Sequence, residues 1–191
     1  NRVYDGETGE HLCTAQGVSG GPVNSFAVDL DGDGIQEIIA SDGAFRFVPD
    51  GQGGYSCPRY WNYTAANGAP AGGGFPAVGD FGTFTDGKRE FGVLDGIPEV
   101  VTAQGTSITL SNGQTGETIW SSALPTEGHK YYTSAECTTH GIGTPTVADF
   151  TGSGAPEIGA AGACFYVVFN TDGTLLWKHS SQDFSSRVTG S

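Results

Sequence analysis

Three segments of this chain repeat one grammar, and that repetition restricts the fold more than any other feature. Each holds a short apolar strand, a loop led by Asp, and a Glu that opens a second apolar strand. The copies run from Phe26-Ala27-Val28-Asp29 to Glu37-Ile38-Ile39-Ala40, from Ala77-Val78-Gly79-Asp80 to Glu99-Val100-Val101-Thr102, and from Thr146-Val147-Ala148-Asp149 to Glu157-Ile158-Gly159-Ala160. A third strand is predicted at residues 45–48, 107–110 and 165–169, followed by a turn rich in Asn, Asp and Gly. A fourth strand then closes on Ile119-Trp120 or Leu176-Trp177. Asn112-Gly113 and Asp172-Gly173 tolerate the positive φ that tight hairpin turns demand.

Four antiparallel strands recurring at this spacing predict an all-β fold of β-propeller blades, each burying its faces against its neighbours. The 32 glycines among 191 residues favour turns and short strands over helices. The pattern divides the chain into a partial blade at 1–17, blades at 18–66, 67–124 and 125–180, and the start of a further strand at 181–191. Arg2-Val3-Tyr4, the turn from Asp5 to Gly9 and Glu10-His11-Leu12 match strand three, turn and strand four of a preceding blade. Arg187 to Ser191 reads as the approach to another first strand. About three blades plus a half-blade are too few for an ordinary closed ring. A fragment of a longer propeller, pairing between copies, and an unusually small ring all remain open, because exposed strand edges invite pairing. Trp120 and Trp177 are expected to seal the outer edge of each blade, with ligand stacking the other reading.

The loop Asp29-Leu30-Asp31-Gly32-Asp33-Gly34-Ile35-Gln36-Glu37 carries the clearest chemistry. Asp29, Asp31 and Asp33 alternate around one point, Gly34 permits the sharp turn, the Ile35 carbonyl is expected to supply a further ligand, and Glu37 closes the set. Hard oxygen donors in this number suit Ca2+ rather than zinc or Mg2+. Three carboxylates so close repel one another without a cation. An EF-hand is excluded, because its twelfth position is Ala40 here and strands stand where helices belong. In the third repeat Asp149, Thr151, Ser153 and Glu157 keep the spacing, but two hydroxyls replace carboxylates. That loop either binds calcium weakly or holds itself by side-chain hydrogen bonds. The middle repeat carries an insertion, after which Asp80, Asp95 and Glu99 are expected to converge, with Asp86 as an extra candidate.

Together these motifs resemble the FG-GAP/VCBS repeats of integrin-α-like propellers and secreted bacterial proteins. The resemblance rests on the run from Val28 to Ile39, the run from Val147 to Ile158 and a divergent copy from Val78 to Val101, and it extends over nearly the whole chain. It implies calcium-binding, extracellular propellers, commonly seven-bladed, that serve adhesion or ligand recognition and sometimes accompany enzyme domains.

Cys13, Cys57, Cys137 and Cys164 form no CxxC pair and have no His at zinc-ligand spacing. Two disulfides and an oxidising compartment are expected instead. Of the three connectivities, Cys13–Cys57 and Cys137–Cys164 are favoured, since each closes a loop within one or two neighbouring repeats. The formal net charge of -13 repels nucleic acid and anionic membranes. No apolar run is long enough to span a bilayer. With Asn1 first and no Met, the sequence is expected to be a mature or excised segment.

His11, His129, His140 and His179 fall into no motif, and no nucleophile elbow, zinc-protease or phosphate-loop pattern occurs. The chain is therefore expected to lack catalysis. Residues 55–64, with Tyr55, Arg59, Tyr60, Trp61, Asn62 and Tyr63, read either as a loop folded over a blade edge and pinned by Cys57, or as a sugar- or protein-binding face. His129-Lys130-Tyr131-Tyr132 is a second candidate face, and Asn62-Tyr63-Thr64 is a glycosylation sequon. The leading expectation is a noncatalytic extracellular calcium-binding module for adhesion or for recognition of a protein or glycan. A subunit assembling head to tail by blade complementation, and the accessory propeller of a larger secreted enzyme, are the alternatives.

Overall fold

The structure, a computed structural model, describes residues 2–15, 24–64, 74–138, 142–162 and 164–181. Strands β1 (Arg2–Tyr4) and β2 (His11–Thr14) form an antiparallel pair. Strands β3 (Phe26–Val28), β4 (Glu37–Ala40) and β5 (Gly43–Phe45) follow, then a small hairpin of β6 (Val48–Pro49) and β7 (Tyr55–Ser56), then β8 (Arg59–Asn62). The first sheet has the order β3-β4-β5-β8, and the hairpin is an outgrowth of its last connection.

In the second repeat β9 (Phe75–Gly79) leads into an inserted hairpin of β10 (Gly82–Thr83) and β11 (Glu90–Phe91). The main sheet resumes with β12 (Glu99–Gln104), β13 (Ser107–Ser111) and β14 (Thr118–Ala123), in the order β14-β13-β12-β9. A short helix, α1 (Ser134–Thr138), precedes the third sheet of β15 (Thr146–Ala148), β16 (Glu157–Ala161), β17 (Phe165–Phe169) and β18 (Leu175–Ser180). Every strand pair in these sheets is antiparallel. The chain is thus all-β with three meandering four-stranded sheets, as its repeats predict.

Apolar side chains are buried where successive sheets meet. Leu30, Ile39, Ala44, Trp61 and Tyr63 of the first repeat pack with Val100 of the second. Phe81, Val101, Ile108 and Leu110 pack with Ile158, Val167 and Phe169 of the third. The second strands read as near-continuous apolar runs because both of their faces are covered. Cys13, Ala15, Phe45 and Cys57 join the first strand pair to the first sheet. The disulfides are Cys13–Cys57 and Cys137–Cys164, the pairing that repeat spacing favours.

Several local expectations change. The third strand of the first repeat is 43–45 rather than 45–48, because Val48 belongs to the side hairpin. Residues 55–64 are not an irregular loop but contain β7 and the missing fourth strand, β8. The fourth strands do not close on tryptophan, since β14 and β18 each run three residues past it. Helix α1 has a reciprocal cap, with Glu136 Oε2 accepting the Thr133 N–H at 2.8 Å and Thr133 Oγ1 accepting the Glu136 N–H at 3.3 Å. The strand expected at 187–191 lies outside the described residues. Among the described residues no helix is long and apolar enough to cross a membrane.

Candidate metal centre

All three Asp-led loops are built on the same backbone device. Asp29 Oδ1 and Oδ2 accept the N–H groups of Gly32 and Gly34 at 2.7 and 2.8 Å. Asp149 does the same with Gly152 and Gly154 at 2.6 and 2.8 Å. Asp80 Oδ2 accepts from Gly96 at 2.6 Å, although a hairpin separates the two. Gly34, Gly96 and Gly154 have φ of +87°, +84° and +89°, which a residue with a Cβ adopts only under strain. These bonds hold the Asp29 and Asp149 carboxyls below the usual range, through Gly34 and Gly154 respectively.

The glutamates also share one bond. Glu37, Glu99 and Glu157 are buried, and Oε2 of each accepts the N–H of the residue after the leading Asp. Leu30, Phe81 and Phe150 donate at 2.9, 2.8 and 2.7 Å. Each Glu therefore clips the first strand of its sheet to the second.

Beyond this frame the loops diverge. One carboxylate oxygen from each of Asp29, Asp31 and Glu37 lies within 4.8 Å of the others. Two oxygens on one Ca2+, each at about 2.4 Å, stand at most about 4.8 Å apart, so this spacing fits a shared ion. No other trio of carboxylate, imidazole or thiol groups among the described residues comes as close. Asp33 stands outside the trio, and its Oδ1 accepts the Ile35 N–H at 2.7 Å. Burial, with the charges of Asp31 and Asp33, pushes the Glu37 carboxyl up, against the Leu30 N–H and Arg46. A cation beside it relieves that cost.

In the middle loop the inserted hairpin replaces the third position of the pattern. Asp95 Oδ1 accepts the Ile97 N–H at 2.9 Å, as Asp33 does for Ile35. Asp80 Oδ1 is buried without a hydrogen-bond partner. Burial lifts the Glu99 carboxyl to about 8. Asp80, Asp95 and Glu99 thus share one loop but are not among the converging trio, and Asp86 lies exposed in the hairpin turn at φ +54°. In the third loop the Thr151 hydroxyl donates to Glu157 Oε1 at 2.7 Å, and Ser153 Oγ accepts the Ala155 N–H at 3.3 Å. The Thr151 hydroxyl there satisfies the glutamate directly.

Sequence reading missed Arg46, and it placed Tyr60 in an aromatic face rather than at this loop. The Arg46 guanidinium pairs with Asp31, and its Nε lies 3.9 Å from Glu37 Oε1. It stacks 4.1 Å above the Tyr60 ring, while the Tyr60 hydroxyl donates to Asp31 Oδ2 at 3.1 Å. Both residues come from β5–β8 rather than from the loop, so no linear motif contains them.

The aromatic run is mostly internal. Trp61 and Tyr63 are buried, Tyr60 bonds Asp31, and Tyr55 stacks on Phe47 at 4.4 Å while remaining exposed. Asn62 is exposed, as a glycosylated residue must be. In the second candidate run His129 stacks on Tyr132 at 4.9 Å, and Tyr131 is exposed. His140 lies outside the described residues.

No protein-family model matches the chain, and no curated protein matches it at a significant level. Among solved structures it is similar to a chain of the crystal structure of BBS1N in complex with ARL6DN, soaked with lead. The TM-score is 0.44 and the identity 12%, and the likeness covers 83% of this chain and 43% of that chain.

Proposed function

We propose that this chain is a noncatalytic extracellular module of FG-GAP/VCBS-like propeller blades that binds Ca2+ in its first loop and recognises a protein or glycan ligand. The convergence of Asp29, Asp31 and Glu37 carries the proposal. These three hold the ion, with Asp33 and the Ile35 carbonyl as further donors. Calcium supplies charge there, offsetting repulsion among carboxylates that the loop holds together. The Asp80, Asp95 and Glu99 set is a weaker site. The set of Asp149, Thr151, Ser153 and Glu157 is weaker still, since its hydroxyls already bond within the loop.

The two disulfides support an oxidising, extracellular location. The use of Glu37, Glu99 and Glu157 as backbone clips supports a structural rather than catalytic role for the buried acids. Probing the chain on glycan and extracellular-protein arrays, with calcium and with chelator, tests this reading. Calcium-dependent retention of a ligand without chemical change is expected. Turnover of a retained ligand, or binding indifferent to calcium, contradicts it.

A further inference from the structure

The contact between successive sheets is made twice inside the chain, and its two halves recur uncovered at opposite ends of the described array. Trp61 of β8 donates its Nε1–H to the Gly113 carbonyl at 2.8 Å, and Trp120 of β14 donates to the Thr171 carbonyl at 2.9 Å. Both acceptors lie in the turn before the last strand of the following sheet. The indoles cover a glycine there, since a Cβ on Gly116 would stand 2.5 Å from Trp61 and one on Gly173 2.6 Å from Trp120. Ser122 adds a bond to the Gly173 carbonyl at 2.7 Å. Leu30, the residue after the first leading Asp, joins the contact, lying against Gly113 and fully buried.

Trp177 occupies the same register as Trp61 and Trp120, opposite the residue before a bulge in the adjacent strand. It is nevertheless 43% exposed, and Phe150, the counterpart of buried Leu30 and Phe81, is 40% exposed. His179 stands where Ser122 makes its bond. Exposed large apolar groups arranged as an interface mark a docking face.

The matching socket is the turn between β1 and β2. Asp5 Oδ1 accepts the N–H groups of Glu7 and Thr8, as Asn112 Oδ1 accepts those of Gln114 and Thr115. Gly9 and Gly116 have φ of +72° and +73°, and each donates to the carbonyl four residues back. Yet among the described residues nothing lies within 4 Å of a Cβ built on Gly6 or Gly9. Among the described residues, the turn that receives tryptophan elsewhere is bare here.

We propose that the Trp177 face of one copy of this chain docks on the β1–β2 turn of a second copy, extending the array head to tail. The Trp177 Nε1–H then meets the Gly6 carbonyl, the indole covers Gly9, and Phe150 packs over Gly6. The two surfaces differ, so the contact is heterologous and growth continues unless the ring closes. The net charge of -13 on each copy opposes association, so added salt strengthens it. This proposal is independent of calcium in the 29–37 loop.

Sedimentation velocity of the 191-residue chain over a range of concentrations, at physiological and raised salt, tests it with two variants. Trp177→Ala removes the knob. Gly6→Gln fills the socket at a residue without positive φ and with open space around its Cβ. The wild type is expected to grow beyond two copies with concentration. Each variant alone is expected to associate at least about tenfold more weakly, the loss typical of a buried tryptophan at an interface. An equimolar mixture keeps one intact knob and one intact socket, so it forms dimers that grow no further. A wild type that stays monomeric throughout overturns the proposal. Association unchanged in both variants overturns it too, as does a mixture that fails to pair while the wild type assembles.

Discussion

Cys13 and Trp61 hold the same place in successive units and reach the same part of the next one. Each faces the residue before a bulge, Val3 for Cys13 and Ala44 for Trp61. Cys13 bridges to Cys57, in the connection before the last strand of the first sheet, and Trp61 bonds the Gly113 carbonyl in the corresponding turn of the second. One position thus links sheet to sheet, by a covalent bond once and by an indole thereafter. The array consequently has a direction.

That linkage gives Trp120 a large share of stability. Trp120→Ala is expected to cost about 3–5 kcal/mol, as large-to-small changes at buried aromatics do. Trp120→Phe keeps much of the packing but strands the Thr171 carbonyl, and about 1–3 kcal/mol is expected. Trp177→Ala, at a half-exposed site where the indole stacks on Tyr166, is expected to cost the monomer only about 1 kcal/mol. Denaturant midpoints of dilute samples check all three, and equal losses at the two tryptophans contradict the account.

The Cys137–Cys164 bridge closes a loop with a sequence separation of 27 and ties α1 to the third sheet. Replacing both cysteines by Ser is expected to lower stability by about 3–4 kcal/mol through the freed unfolded chain. Equilibrium unfolding of the double variant reads this out. An unchanged midpoint shows the bridge to be dispensable.

The third loop differs from the first chiefly at Thr151, whose hydroxyl satisfies Glu157. Thr151→Asp places a carboxylate where Asp31 stands in the first loop. The variant is expected to be less stable than wild type in chelator, from repulsion with buried Glu157, and to regain the loss in calcium. Titration calorimetry should show one additional site per chain. A variant destabilised equally in both conditions contradicts this.

Burial raises the Glu99 carboxyl to about 8 from an ordinary 4.5, against the Phe81 N–H and with help from Asp80 and Asp95. Over that interval the folded chain holds a proton that the unfolded chain has released. In chelator, this contribution to stability is complete below pH 4.5, declines as pH rises through 8 and is flat beyond. Glu99→Gln removes that decline. Denaturant midpoints across this range check it, and parallel slopes for variant and wild type exclude Glu99 as the source.

The Asp and Glu spacing made the three sheets legible, because strand and turn answer to local sequence. Glu37, Glu99 and Glu157, however, read as metal ligands and not as acceptors of the Leu30, Phe81 and Phe150 N–H groups. Both disulfides were legible as well, since each closes a loop within one or two neighbouring repeats. The fourth strand of the first sheet was not. The β6–β7 hairpin lengthens the connection before Trp61, so Arg59-Tyr60-Trp61-Asn62 falls out of phase with Thr118-Ile119-Trp120. The partners of Trp61 and Trp120 lie in the next repeat and appear only once the sheets are stacked. Arg46 was hidden likewise, since its approach to Asp31 depends on how β5 passes the loop.

Thermal unfolding with and without calcium, after verified metal removal, bears most directly on the central claim. With calcium at about a hundred times its dissociation constant, the native state gains about 2.7 kcal/mol. For a chain of this size that raises Tm by roughly 5–10 °C, and Asp31→Asn should abolish most of the rise. An identical Tm in calcium and in chelator contradicts the assignment of the 29–37 loop as a metal centre.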